Sequence, residues 1–463
     1  MCDIRDFKSV RVHMIGIGGS SMSGLAAMLL REGYRLTGSD NTRSHAVERL
    51  EKAGIPVAVG HRAENVRGAG LIVFSAAILP DNPERQEALR LGIPQMERSV
   101  LLGQLMRDHR HAVCVSGAHG KTTTSAMIAQ ILLDAGMDPS VSIGGRLDAI
   151  GGGSRVGGKD FFVAEACEYH SSFLEMHPTL AVVLNIDEDH LDYYGDISHI
   201  EEAFGRFLSL LPGDGVALGW GDDPRVRRLF GKLTCRKYFF GDGPDCDFTT
   251  VNLTEGPFGS DSFDIAFRGE ILGRAELKVV GDKNRLDALA AFAAAHLCGV
   301  DSAAACASLS RFEGAHRRFE KTGVIDGVAM YHDYGHNPAE MRTAVHNAVM
   351  QRPHAVWAVV QPHTYSRGIT LFDQYLTCTE EADHTLVTDI CAAREKDPGT
   401  IHSSMLVEGM RAHGIDAVLT PTFDDCENYL RAHWQEGDLV ITMGCGDINL
   451  LNEQMHLHGD TRR

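Results

Sequence analysis

The stretch HAVCVSGAHGKTTTSAMIAQILLDAG, residues 111–136, constrains this chain more than any other. His111 to Val115 are mostly apolar and β-prone, as a buried strand requires. Gly117, Gly120 and Lys121 follow at once. Thr122 to Ala135 then carry Met127, Ile128, Ile131 and Leu132 at helical spacing, with Gly136 placed to stop the helix. A strand, a glycine loop with lysine and hydroxyl, and a helix together can hold a triphosphate. Glycines let backbone N–H groups approach the phosphates, and the helix N-terminus adds partial positive charge. Lys121 is placed to neutralise β/γ oxygens and the Thr122 hydroxyl to hold magnesium. The loop reads G-x-x-G-K-T, with Val115 where a longer phosphate loop carries its first glycine. The competing reading is an ordinary glycine-rich strand–helix turn.

With 463 residues, the chain has room for three domains of about 150 residues, each with its own core. Its formal net charge of −18 leaves no basic field for nucleic acid or an anionic membrane. Nucleotide ligands must therefore be held by local basic and glycine-rich sites. Eleven cysteines, an odd number with no C-x-x-C pair, read as reduced thiols rather than a zinc or disulfide framework. The start, MCDIRDFKSVRVH, is charged from Asp3 onward, and no apolar run approaches the roughly 20 residues of a membrane span. A cytoplasmic protein without membrane insertion is expected.

Upstream of the loop, Val10 to Ile15 read as a strand, GIGGSSMSG as a loop, Leu25 to Arg31 as a helix, and Tyr34 to Thr37 as a second strand. This imitates the dinucleotide fingerprint, but the third glycine falls on Ser21 and comes instead at Gly24. Asp40 fits a ribose hydroxyl contact. The segment is either a nucleotide site or a plain Rossmann turn. Leu71 to Phe74 form a strand ending in SAAILPDNPE, a loop suited to a ligand crevice, and Leu101 to Asp108 a link onward.

Downstream, Glu165 stands at the end of the strand Phe161 to Ala164, and NIDEDHLDYYG follows the strand Leu180 to Leu184. Ligands of open α/β sheets bind at carboxyl ends of strands. Lys121, Thr122, Glu165, Asp187, Asp189 and His190 should thus converge on one rim. A glutamate suits magnesium there. His190 is either a further ligand or a capping or core histidine, and its company with Asp187, Asp189 and Asp192 favours function. Residues 216–280 read as an antiparallel appendage without chemistry. GDKNRLDALAAFAAAHLCG, residues 281–299, is an Ala-rich helix opened by a glycine and Asn284, and FEGAHRRFE marks a domain boundary. Arg317 and Arg318 are a solvated pair, or they stabilise charge during phosphoryl transfer. In the last third, strands end in Asp333, Gln361, Asp389 and Gly444. His336, His363 and Arg367 are singly ordinary polar residues, but all follow strands.

Together VSGAHGKTTT, EACEYHSSFL, NIDEDHLDYYGD, RRFE, HDYGHNPAE and QPHTYSR resemble the Mur ligases of peptidoglycan synthesis, in order from about residue 11 to 450. The opening HMIGIGGSSMSGLA with GSD, and the DYGHNP block, most resemble the members that add alanine to UDP-N-acetylmuramate. The resemblance implies an α/β fold of three domains. These are a Rossmann-like UDP-sugar domain (1–106), a central P-loop ATPase-like domain (107–316) and a Rossmann-like C-terminal ligase domain (317–463). It also implies an ATP-dependent amide ligase with small-molecule substrates (UDP-N-acetylmuramate, ATP and L-alanine), magnesium as cofactor, and a monomeric or homodimeric state. Carried onto matching positions, the ATP loop is Gly117, Ala118, His119, Gly120, Lys121, Thr122 and Thr123, with Asn284, Arg317 and Asp333 also near the nucleotide. Thr122, Glu165 and His190 fall on metal positions. Tyr334, His336 and Arg367 fall near the acyl phosphate and the amino acid, with Lys121, His336 and Arg367 as the catalytic set. Gly16, Gly18, Gly19 and Ser20 fall on the UDP phosphate loop, with Asp40 beside them. Two departures stand out: Ala118 replaces a threonine, and Lys283 and Asp287 replace a histidine and an asparagine near adenine. The alternatives are a recycling ligase that attaches a peptide to the same sugar, and a non-catalytic UDP-sugar sensor.

Overall fold

The computed structural model describes residues 2–256, 260–393 and 395–460, apart from the Asp192 side chain. Three sheets make a three-domain α/β architecture. The first contains β1 (Arg11–Ile15), β2 (Arg35–Asp40), β3 (Val57–Val59), β4 (Leu71–Phe74) and β5 (Gln95–Glu97), in the order β3-β2-β1-β4-β5. All its pairings are parallel. Val12 to Ile15 are all covered, which explains why the apolar Met14 and Ile15 adjoin rather than alternate with polar residues, and His13 is buried among them. The following helix begins at Ser20, so Ser20 to Gly24, assigned to the loop, form its start. Leu101 to Met106 are likewise not a link but most of a buried helix, Arg98–Met106.

The second sheet is built around β6 (His111–Ser116), which lies between β9 (Phe161–Glu165) and β10 (Leu180–Val183), parallel to both. On one side the sheet continues through β7 (Ser140–Leu147) to β8 (Gly152–Arg155). On the other it continues through β11 (Val216–Trp220), β12 (Arg236–Phe240), β13 (Phe248–Glu255), β14 (Asp261–Phe267) and β15 (Glu270–Glu276). Here the sequence reading needs correction. Parallel pairing runs on through β11 and β12 to the first residue of β13, and within residues 216–280 the described antiparallel pairing is that of β14 with β15. The helix Lys121–Asp134 covers this sheet, with Met127, Ile128, Ile131 and Leu132 essentially inaccessible. Burying each of these side chains contributes about 1.5–3 kcal/mol.

These two sheets belong to one compact unit, Met1–Thr254 with Asp261–Glu313. They share a core in which Val12, Leu25 and Leu105 join Cys114, Phe162 and Phe173. Gly24 marks the seam, because a Cβ there would overlap the Ser154 side chain of β8. The glycine displaced from the fingerprint thus lets the Ser20–Arg31 helix lie directly on the second sheet.

The other unit, Glu255–Ser260 with Gly314–Arg463, contains the third sheet. Its strands are β16 (Glu320–Ile325), β17 (Val328–Asp333), β18 (Val356–Val360), β19 (His384–Val387), β20 (Ala417–Leu419) and β21 (Leu439–Met443), ordered β16-β17-β21-β18-β19-β20. Only β16, paired with β17, runs antiparallel. Separate core clusters fill its two faces.

Candidate functional site

The glycine loop leaves β6 and enters the helix at Gly120, whose φ of +82° is the left-handed conformation that glycine adopts without strain. Asn185, just after β10, clamps the loop from the side. It accepts from the His119 N–H at 2.9 Å and donates to the His119 carbonyl at 3.1 Å. Lys121 folds back over the turn, its Nζ donating to the carbonyls of Gly117 (2.5 Å) and Ala118 (3.0 Å) and to Glu168 Oε1 (3.0 Å). Burial by itself would lower the ammonium, but the surrounding acids, Glu168 foremost, hold it above its ordinary value. The lysine therefore stays charged.

Thr122 Oγ1 donates to Glu165 Oε2 at 2.9 Å, and the Gly144 N–H donates to the same oxygen at 2.7 Å. His190 stands apart from this pair. Its Nε2 lies 3.8 Å from Glu168 Oε1 and 3.8 Å from Asp189 Oδ2. Glu168, Asp189 and His190 present donor atoms within 4.8 Å of one another. The structure thus joins Thr122 to Glu165 and surrounds His190 with Glu168 and Asp189. Glu168 was missed in the sequence, although a second acid three residues after Glu165 was a signal. Glu168 Oε2 is buried without a hydrogen-bond partner among the described residues. An orphaned buried carboxylate oxygen is costly by itself, and carboxylates with one imidazole suit a divalent cation, so these residues fit magnesium. Asp187 is half-turned to solvent, 3.9 Å from His119. The Asp192 side chain lies outside the described residues.

At the first sheet, Asp40 holds the glycine turn. The Gly18 N–H reaches its Oδ2 at 2.9 Å, and the Thr42 N–H its Oδ1 at 3.2 Å. Gly16 and Ile17 donate to the Ser39 carbonyl, and Gly19 to that of Gly16. Ser20 opens the helix with no side-chain cap at Gly19. Behind Ser39 lies Glu84, fully buried and also missed in the sequence, which accepts from Ser39 Oγ at 2.6 Å and from Asn65 Nδ2. Asn284 donates to the Val280 carbonyl at 2.6 Å as its helix begins. The Asp287 carboxylate occupies the space a Gly120 side chain would need, so this departure sits directly against the phosphate loop.

The third sheet carries its own rim. Asp333 accepts from the N–H groups of Phe319 (2.7 Å) and Gly335 (2.6 Å), pinning the Arg317–Phe319 turn to the end of β17. Burial raises its carboxyl, with Arg318 opposing. The Arg317 and Arg318 guanidinium groups lie 6.0 and 5.3 Å from the Tyr334 ring centre. His336 Nδ1 lies 3.2 Å from the Tyr334 carbonyl and 3.4 Å from Glu340. Tyr375 donates to the His336 carbonyl at 3.1 Å. Arg367 Nη1 lies 3.3 Å from His363 Nδ1. Burial, Arg367 and His336 push His363 down to about 4, so it is neutral at pH 7. The structure thus assembles Tyr334, His336, His363 and Arg367, with Tyr375 and Glu340 as supports that the sequence did not disclose.

A phosphate loop with an acid–imidazole rim suits transfer of a phosphoryl group from ATP, and the company this chain keeps makes the class that of ATP-dependent amide ligases. The chain belongs to the Mur ligase family. It matches the Mur ligase family catalytic domain over residues 11–110, the Mur ligase middle domain over 115–295 and the Mur ligase glutamate ligase domain over 317–446. It is 44% identical to the UDP-N-acetylmuramate–L-alanine ligase of Caldanaerobacter subterraneus subsp. tengcongensis, over 98% of both chains. To that of Acetivibrio thermocellus it is 42% identical, over 96% of this chain and 95% of the other. Among solved structures it shares its fold with the UDP-N-acetylmuramate–alanine ligase of Thermotoga maritima, at a TM-score of 0.82 and 24% identity, covering 97% and 99% of the chains. It also shares its fold with a murein peptide ligase of Psychrobacter arcticus, at 0.71 and 23%, covering 97% and 98%.

Proposed function

We propose that this chain joins L-alanine to the carboxylate of UDP-N-acetylmuramate with ATP, as an early step of peptidoglycan precursor synthesis in the cytoplasm. Near-complete likeness to ligases of that name, at 44% identity, carries the reading. A carboxylate oxygen of the sugar attacks the γ-phosphorus, ADP leaves, and an acyl phosphate forms. The alanine nitrogen then adds to the acyl carbon and loses a proton, and phosphate departs as the tetrahedral intermediate collapses. Lys121 and the loop residues Gly117 to Thr123 neutralise and position the triphosphate, with Asn284, Arg317 and Asp333 as further nucleotide contacts. Gly16, Gly18, Gly19, Ser20 and Asp40 form the UDP site. Donation from His336 Nδ1 to the Tyr334 carbonyl puts the lone pair on Nε2, able to accept the amine proton, while Tyr334 and Arg367 orient the amino acid. Magnesium, held by Thr122, Glu165 and His190, would screen phosphate charge. The functional boundaries follow as 1–106, 107–316 and 317–463. The test is phosphate release with ATP, magnesium and UDP-N-acetylmuramate, offering alanine, glycine, serine or a tripeptide in turn. Release greatest with alanine is expected; release only with the tripeptide, or none, would overturn the proposal.

A further inference from the structure

Arg98 opens the helix Arg98–Met106, and its side chain makes a single hydrogen bond among the described residues, from Nη1 to Ser21 Oγ at 3.1 Å. A guanidinium has five N–H donors in a planar fork. No carboxylate of the described residues comes within ion-pair distance of it, although the charges of Glu97 and Glu165 reach it, and burial pulls it below its ordinary value. Ser21 lies in the first turn after the sugar-site glycines, whereas Glu165 shares the Thr122 hydroxyl beside the phosphate loop. Arg98 thus touches the first turn and lies within electrostatic reach of Glu165 beside the second, half-buried, with most of its donors uncommitted among the described residues. A cation there needs an anion, and the reaction must bring one from the first turn to the second. The diphosphate of a sugar nucleotide can take the open amides at the start of the Ser20–Arg31 helix.

We propose that the Arg98 fork grips the carboxylate of the sugar nucleotide and holds it toward the ATP γ-phosphate. The assignment rests on the function proposed above and names a substrate contact within it. A planar fork pairs with a carboxylate through two parallel hydrogen bonds, which a lysine cannot reproduce.

The test compares UDP-N-acetylmuramate with UDP-N-acetylglucosamine, which lacks the lactyl ether that bears the carboxylate, by calorimetric titration of the natural enzyme, Arg98→Met and Arg98→Lys. In Arg98→Met the muramate should bind roughly 10- to 100-fold more weakly, as expected for losing a charged, paired contact. Binding of the glucosamine nucleotide and the KM for ATP should stay unchanged. Arg98→Lys should fall between, with the same selectivity, and it decides the matter should the methionine variant fold poorly. Equal loss for both nucleotides would assign Arg98 to the diphosphate and overturn the proposal; no loss for either would overturn it too. A natural enzyme that forms no product from the muramate and alanine would instead refute the function.

Discussion

Lys121 has two tasks that a substitution can separate. It is placed to meet the triphosphate, and it is the cation of Glu168, whose side chain is only 2% exposed. Lys121→Met should therefore reduce kcat by about 10³-fold or more, because positioning and charge neutralisation supply most of phosphoryl-transfer catalysis. It should also lower unfolding stability by about 3 kcal/mol, since it leaves a buried charge unpaired. Adding Glu168→Gln should restore most of the stability and none of the turnover, as urea titration and steady-state kinetics would show. The Kd for UDP-N-acetylmuramate should stay within about threefold throughout, because Lys121 reaches only its own loop and Glu168. A second residue-scale test concerns Glu165 and His190, which the structure places in adjoining donor groups rather than one. Glu165→Ala and His190→Ala should each raise the magnesium concentration for half-maximal rate, and the double variant should lose less than the product of the single effects. Full multiplicativity would mean two independent sites.

Among the elements, β6 with its helix was the most legible, because the apolar period changes from strand to helix across the glycines at 117 and 120. Strand ends were legible for a related reason, since polar clusters follow buried apolar runs. The direction of β11 and β12 was not. Alternation records which face is buried, whereas parallel or antiparallel pairing depends on a neighbour distant in sequence. Asp40 shows a different limit. An acid at the end of β2 suggests a ribose contact, but only the folded turn reveals that the Gly18 and Thr42 amides engage both its oxygens. Glu84 was silent because its partners Ser39 and Asn65 lie 45 and 19 residues away. Its network predicts that Glu84→Ala, which strands buried donors, destabilises the first unit by about 2–4 kcal/mol and raises the KM for the sugar nucleotide, as Ser39 loosens beneath Gly16. Glu84→Gln should do less on both counts. Thermal unfolding and initial rates check this; unchanged KM in Glu84→Ala would show that the turn needs no such support.

For the whole molecule, the two units have different vulnerabilities. The C-terminal unit contains His332, 2% exposed, with Nδ1 2.9 Å from Thr442 Oγ1 and Nε2 lacking a partner. Burial, with Arg317 adding to it, pushes His332 down to about 4. The unfolded chain takes up this proton near pH 6.5, whereas the folded chain resists until about pH 4. Stability of this unit should therefore be intact above pH 6.5 and fall as pH drops toward 4, by about 3 kcal/mol from this one group. Urea unfolding at pH 7 and pH 5, followed by Trp434 and Trp357 fluorescence, measures it. His332→Asn should be weaker at pH 7 but show a shallower acid slope; an equal slope would move the acid sensitivity elsewhere.

Gly24 gives the first unit a property that no single contact describes. With nothing on that carbon but hydrogen, one helix is seated against β8 of the neighbouring sheet, and the two glycine turns proposed to anchor the substrates become parts of one jig. Their spacing is machined in before any ligand arrives. On the proposed function, the carboxylate and the phosphate it must meet are then gauged by the chain itself. Whatever movement accompanies turnover does not have to bring those two anchors into alignment.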